Sequence, residues 1–228
     1  MDNDSLLALL KSVANGRLPV KYAAAKLRHI GYEDIEYAHV DHHRSLRKGF
    51  PEVIFGQGKN ADQVIGIMDK MKDQENIILV TRLEKNKADA VIERFPHAVY
   101  HPDARMLVWQ LKKPRIIGRG IICIISAGTS DIPVAEEAYL TAKAMGNRVE
   151  TIFDVGVSGI HRLFSHKESI DKATVLIVVA GLEGALPSVV AGMVSRPVIA
   201  VPTSVGYGVS LGGLTALFAM LNSCSSNV

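Results

Sequence analysis

An α/β fold is predicted for this chain: a doubly wound parallel sheet over residues 113–228, preceded by a smaller α/β domain over residues 1–112. Three observations predict it. Apolar strand-like runs alternate with helix-like segments through the second half at the spacing of βαβ units, which calls for parallel strands covered on both faces. Composition changes along the chain: residues up to and including Arg115 hold 19 basic and 15 acidic side chains against 7 and 8 after it, and 13 of the 19 glycines fall after it. Leu111-Lys112-Lys113-Pro114-Arg115 has the character of a junction, because Pro114 disfavours helix at Lys113 and the basic cluster favours exposure.

In the first half, residues 5–14 read as a helix with a leucine face and residues 19–30 as a second helix, stopped by Gly31. Strands are expected over 35–40 and 53–55, a helix over 61–72, a strand over 77–81, a helix over 85–95 and a strand over 98–101. His42 and His43 are adjacent, lack the i, i+4 relation of a helical metal pair, and read as a solvated polar surface. Trp109 is expected to pack between the halves. In the second half, strands are expected over 120–126, 148–154, 174–180 and 198–201. The helices between and after them span 132–145, ended by Gly146, then 160–171 as one helix or two short ones, 184–194 and 211–222. Leu214, Leu217, Phe218 and Leu221 recur at helical spacing and are expected in the core.

With 48% hydrophobic residues and a net charge of +3 from 26 basic and 23 acidic side chains, the chain is too apolar for disorder. Its charges are too balanced for nucleic acid or an anionic membrane as principal partner. The acidic start and short apolar stretch before Lys11 do not make a signal peptide, and the run ending at Glu183 is too short to span a bilayer. A cytoplasmic protein is expected. Cys123 and Cys224 are too few for a disulfide framework or a thiolate metal site and are expected free. No metal cluster stands out, so metal ligands stay unassigned.

In parallel sheets, ligands bind beyond the carboxyl ends of the strands. The first such end is Ser126-Ala127-Gly128-Thr129-Ser130-Asp131, where hydroxyls, backbone N–H groups and the following helix start suit a phosphate. Asp131 is expected to cap that helix, with Pro133 in its first turn. The second runs from Asp154 through Gly156 and Ser158 to His161 and Arg162; Asp154 suits ribose hydroxyls and His161 suits acid–base work. At the third, Glu183 sits among glycine and apolar neighbours, where partial burial would raise its pKa and suit it to proton transfer, unless it merely starts the next helix. The fourth holds Gly206, Tyr207 and Gly208, small enough for close approach of a ligand or of another subunit. Cys224 follows the last helix among small polar residues, a setting that permits an exposed, reactive thiol. Cys123, between two isoleucines, reads as an inert core residue.

The segments SAGTSDIPVAEEA (126–138), DVGVSGIHR (154–162), GLEGALPSVVAG (181–192), PVIAVPTSVGYG (197–208) and 212–224 together resemble the aminoimidazole ribonucleotide carboxylase (PurE) family. With HVDHHRSLRKGFPEVIFGQGK (39–59) added, the chain resembles more closely the LarB family of nickel-pincer nucleotide synthesis, the pyridinium-3,5-biscarboxylic acid mononucleotide synthases. The purine carboxylases have their catalytic histidine where His161 stands, although the residues around it depart from their Ser-Ala-His-Arg, and they use the Ser-Asp turn for phosphate and ribose. The LarB resemblance implies nicotinic acid adenine dinucleotide as substrate, carbon dioxide or bicarbonate as co-substrate, magnesium, and release of AMP. It also implies a homo-oligomer, since the related carboxylases are octamers, and a chain cut short at its carboxyl end, before a further strand and glycine-rich segment. For such a reaction Cys224 is the candidate nucleophile, Glu183 the candidate for proton transfer and His161 the second choice. A purine-type carboxylase or mutase and a non-catalytic nucleotide-binding module are the alternatives.

Overall fold

The computed structural model describes residues 3–28 and 32–228, and the chain divides into two units, Met1–Lys113 and Pro114–Val228. The first unit begins with helices α1 (Asn3–Ala14) and α2 (Val20–Arg28); the predicted end of the second helix at Ile30 and its stop at Gly31 lie outside the described residues. Where one strand was expected over 35–40, a short antiparallel hairpin forms from β1 (Tyr32–Asp34) and β2 (His39–Asp41). The break has a local cause. The Glu36 N–H donates to Asp34 Oδ1 at 2.9 Å and Glu36 takes φ 72°, so an Asx turn replaces the middle of the strand.

The five-residue helix α3 (Arg44–Lys48) was not expected. It is closed by Gly49 in the left-handed conformation, whose N–H donates to the Ser45 carbonyl. His42 is 1% exposed and lies 3.4 Å from Glu33, which corrects its reading as a solvated surface residue. The hairpin folds over it, and Glu33, held by Lys70 at 2.7 Å, supplies its polar partner.

Then follow β3 (Val53–Phe55), α4 (Ala61–Met71), β4 (Ile77–Thr81), α5 (Lys85–Arg94), β5 (Ala98–His101) and β6 (Met106–Gln110). They make a mixed sheet of order β3-β4-β6-β5, with β3 parallel to β4 and the other pairs antiparallel. Asn60 and Gln63 form a reciprocal capping box at the start of α4. Val64, Ile67, Met68 and Met71 of α4 and Val91 of α5 pack on Ile78, Val80 and Leu107 of the sheet. Trp109 belongs to this same core, edge-to-face with Phe95 at 6.4 Å, and so its assignment to packing between the halves is corrected.

The second unit is the expected doubly wound domain. Strands β7 (Ile121–Ser126), β8 (Arg148–Ile152), β9 (Val175–Ala180) and β10 (Val198–Pro202) are all parallel, in the order β10-β9-β7-β8. The helices are α6 (Ile132–Ala144), α7 (Ile160–Ser165), α8 (Lys167–Lys172), α9 (Leu186–Met193) and α10 (Leu214–Leu221). Ala135, Val134 and Ala138 of α6 cover Ile124 and Val179 on one face. Leu163, Ile170, Val190 and Ala191 cover Cys123, Ile125, Leu176 and Val178 on the other. Each fully buried Leu, Ile or Val removes enough apolar surface from water to contribute about 2 kcal/mol.

Helix α10 departs from expectation. Leu214, Phe218 and Leu221 are exposed, while Ala216 and Met220 are buried. The absence of a side chain at Gly184 permits the close approach, because a Cβ there would stand 2.7 Å from the Ala216 carbonyl oxygen. After α10, the Asn227 side-chain amide donates to the carbonyls of Val194 (3.2 Å) and Arg196 (2.8 Å), and the Asn227 backbone carbonyl accepts from the Val198 N–H at 2.8 Å. Among the described residues, no helix is long and apolar enough to cross a membrane.

Candidate active site

The strand order places a topological switch between β7 and β9, where the chain leaves in opposite directions and a crevice opens at the carboxyl edge. All four strand-end turns gather there. The β7 and β8 turns are joined through Ser126, which is fully buried; its Oγ accepts from the Asp154 N–H at 3.2 Å and its carbonyl from the Val155 N–H at 3.1 Å. The β9 and β10 turns are joined by the Leu182 N–H donating to the Val205 carbonyl at 2.9 Å.

Asp131 ties the two sides together. Its side chain does not cap α6, contrary to expectation. Oδ2 accepts from the Gly128 N–H at 3.0 Å and Oδ1 from the Thr203 hydroxyl at 2.7 Å, with Asp131 and Thr203 each 4% exposed. The carboxylate is therefore spent on the latch between the β7 and β10 turns, and the groups left facing solvent are the exposed residues Thr129 and Ser130. Thr203 was not singled out from the sequence; a hydroxyl at the end of β10, facing an acid at the end of β7 across the switch, is the signal that identifies it.

Asp154 stands at φ 59° and Leu182 at φ 52°. Left-handed backbone at non-glycine residues costs about 1 kcal/mol or more each and gathers at functional sites. Here both lie at the same sheet edge. Asp154 Oδ2 accepts from Arg162 at 2.7 Å, and Gly159 leaves room for that guanidinium, since a Cβ there would stand 2.7 Å from Arg162 Nε. Arg162, and not His161, thus reaches into this turn; His161 and Ser158 are exposed.

Several glycines serve loop-to-loop packing and not open space. A Cβ on Gly156 would meet the Ala127 carbonyl oxygen at 2.9 Å, and one on Gly206 the Ser210 Cβ at 2.7 Å. Gly128 and Gly208 are the open ones: a Cβ on Gly128 would meet nothing nearer than 3.6 Å, and one on Gly208 nothing within 4 Å. Tyr207 is 84% exposed. Glu183 is exposed as well, so the partial burial expected of it is not found. The turn ends at Gly184, packed on α10, and the burial falls on Gly184 and Leu186 instead.

The two cysteines differ as expected. Cys123 is buried, and burial, helped by Glu150, pushes its thiol up to about 12; Cys224 is exposed. Its neighbours tether it to α9: Ser223 lies 2.8 Å from Ser188 Oγ, and Ser225 donates to the Ser188 carbonyl. Within one chain it is thereby tied along α9, while the other candidate residues are on the strand-end turns. Iodoacetamide at pH 8 is expected to modify one thiol per native chain, Cys224, with the second becoming reactive on denaturation; peptide mass spectrometry reads the site.

Among the described residues no three His, Cys, Asp or Glu side chains converge as a metal group. With Asp131 latched and Asp154 on Arg162, the second unit holds no ready-made magnesium cage. A concavity of about 910 Å³ lies in the first unit, lined in part by Glu33, Asp69, Lys70, Lys72 and Arg94. Of its charges, Lys70 is paired with Glu33 and both Lys72 and Arg94 with Asp69; the four strand-end turns, gathered at the switch point of the parallel sheet, are the better-placed candidate.

Residues 32–112 match the family model described as the LarB/PurE-like N-terminal domain, and residues 121–227 match that of AIR carboxylase. The chain belongs to the LarB family. It is 39% identical over 232 residues to an uncharacterized protein of Methanocaldococcus jannaschii, covering 98% of this chain and 90% of that protein. It is 42% identical over 102 residues to the N5-carboxyaminoimidazole ribonucleotide mutase of the same organism, covering 43% of this chain and 60% of that enzyme. Membership of the LarB family and the relation to PurE make this a carboxylase-type enzyme, with its AIR-carboxylase unit built as the parallel sheet described above.

Proposed function

We propose that this LarB-family chain carboxylates the pyridinium ring of nicotinic acid adenine dinucleotide at carbon 5 and hydrolyses the phosphoanhydride. The products are AMP and pyridinium-3,5-biscarboxylic acid mononucleotide. The observation that carries the reading is the union, in one chain, of a LarB/PurE-like N-terminal domain with an AIR-carboxylase unit bearing one exposed thiol. A pyridinium ring is too electron-poor to attack carbon dioxide. Addition of the Cys224 thiolate forms a C–S bond and converts the ring to a neutral dienamine, whose carbon 5 becomes nucleophilic. Carbon 5 bonds to carbon dioxide, a base removes its proton, and the returning electrons expel the thiolate and restore the aromatic ring. The sequence is redox-neutral. Water then cleaves the phosphoanhydride.

Thr129 and Ser130 hold phosphate in this reading, beside the open space at Gly128, the remaining Asp154 oxygen accepts from ribose, and Glu183 takes the ring proton, with His161 as the second candidate. The reaction runs in the cytoplasm and in a homo-oligomer, an octamer as in the related carboxylases. A second copy covers the exposed Leu214, Phe218 and Leu221, and brings the Cys224 of one copy to the turns of another.

Incubation of purified protein with nicotinic acid adenine dinucleotide, bicarbonate and magnesium is expected to yield AMP and the dicarboxylated mononucleotide by mass spectrometry. Binding without either product would instead indicate a nucleotide-binding module. Glu183→Gln is expected to lower kcat by about a hundredfold with KM little changed; wild-type turnover would give the proton to another residue. The likeness to the mutase over 102 residues supports a second reading, a purine-type carboxylase or mutase. It requires turnover of an aminoimidazole ribonucleotide and has no use for Cys224.

A further inference from the structure

We infer that the first unit carries its own anion site, built for a phosphate group, at the carboxyl edge of β3 and β4. Three cations from three separate segments lie at that edge. Phe55 pairs with Thr81 and Val80 with Leu107 in the sheet register. Beyond those pairs the Gly56 N–H donates to the Thr81 carbonyl at 2.7 Å and the Leu83 N–H to the Arg105 carbonyl at 2.8 Å. Arg82 and Arg105 therefore leave from neighbouring strand ends about 5 Å apart, and Lys59 from the loop that follows β3. Lys59 Nζ is held at the edge by the Phe55 carbonyl at 2.9 Å.

Several cations of this unit are paired, among them Arg47 with Asp41, Lys70 with Glu33, Lys85 with Asp89 and Lys87 with Glu84. Arg82 and Arg105 are exposed and make no ion pair among the described residues. Both also hold left-handed backbone, at φ 51° and 50°; at Arg105 this closes the loop of the β5–β6 hairpin, where the Arg105 N–H donates to the Pro102 carbonyl. Between β3 and α4 the chain reads Gly56-Gln57-Gly58-Lys59. A Cβ on Gly56 would stand 2.9 Å from the Thr81 carbonyl oxygen, whereas one on Gly58, at φ +82°, would meet nothing within 4 Å. The first glycine thus lets the loop lie against β4, and the second leaves open backbone beside the cations.

The start of α4 is not itself the attraction, since Asn60 and Gln63 cap it and Asp62 stands in its first turn. Two arginines, which match phosphate oxygens bidentately, with a lysine as point charge, suit a phosphate better than a carboxylate or a halide. This site is separate from the strand-end crevice of the second unit and does not depend on the activity proposed for it.

Hydrogen–deuterium exchange on the full chain, with inorganic pyrophosphate as probe and AMP in a parallel arm, tests the inference. Pyrophosphate is expected to protect residues 56–60 and 81–83, and sodium chloride at matched ionic strength is not. Arg82→Gln and Arg105→Gln are each expected to raise the half-saturating concentration about tenfold, the loss of one charge-assisted contact, without altering protection at residues 126–131. Stronger protection by AMP than by pyrophosphate identifies an esterified phosphate as the ligand, and the reverse a free one. No protection of residues 56–60 at millimolar pyrophosphate, or protection undiminished in the double variant, would overturn the proposal.

Discussion

Cys224→Ala is expected to lower carboxylation by at least about a thousandfold while leaving dinucleotide affinity within a few fold. Without the thiolate, the only route to a nucleophilic carbon 5 in this mechanism is lost, so the effect falls on the chemical step and not on binding. Stability should hardly change, because Cys224 is exposed and surface substitutions of this kind shift folding by about 0.5 kcal/mol at most. Calorimetric titration with nicotinic acid adenine dinucleotide and product analysis by mass spectrometry separate the two properties. Cys224→Ser is the sharper control, keeping size and polarity while removing a readily ionised nucleophile. Normal turnover by either variant would end the covalent mechanism and leave the family assignment standing.

Asp131→Ala is expected to cost about 3 kcal/mol of stability and to abolish nucleotide binding. The substitution removes the acceptor for the buried Thr203 hydroxyl and for the Gly128 N–H together, and a buried donor left without a partner costs about 1–3 kcal/mol. Its effect on binding follows from geometry, because these two bonds hold the β7 turn against the β10 turn. Asp131→Asn retains an amide oxygen for one of the two donors and should recover roughly half of the loss. Thr203→Val should weaken the same latch from the other side, by less. Urea denaturation measures all three; a loss below about 1 kcal/mol for Asp131→Ala would show that the latch contributes little.

The parallel sheet was legible because a strand covered on both faces is a run of apolar residues bounded by turns, as in β7 and β9, and needs no alternation to recognise it. Where the sequence misleads, the cause is tertiary or a matter of scale. Helix α3 is one turn and a half, too short for periodicity to mark. Strand β6 adjoins the basic junction, and its five residues carry too little pattern to mark a strand. His42 looks polar and exposed in one dimension, and only the fold of the β1–β2 hairpin buries it.

The candidate site divides the same way. The four strand-end turns could be named from order and composition, since topology alone sends them to one edge. The choice Asp131 makes, between its own helix and Thr203, which lies 72 residues on, is a contact that no local pattern contains. Helix α10 is apolar all round, so a 3.6-residue period cannot say which stripe goes inside. Contact with Gly184 decides it for Ala216 and Met220, and the larger side chains are left to solvent.

The amide of Asn227 works as a clasp, with one side chain gripping the loop that leads into β10 while the backbone carbonyl takes the first N–H of that strand. Asn227 thus anchors the thiol-bearing segment to the sheet three residues beyond Cys224, so the sulfur is positioned from both sides, by the Ser223–Ser188 contact before it and by this clasp after it.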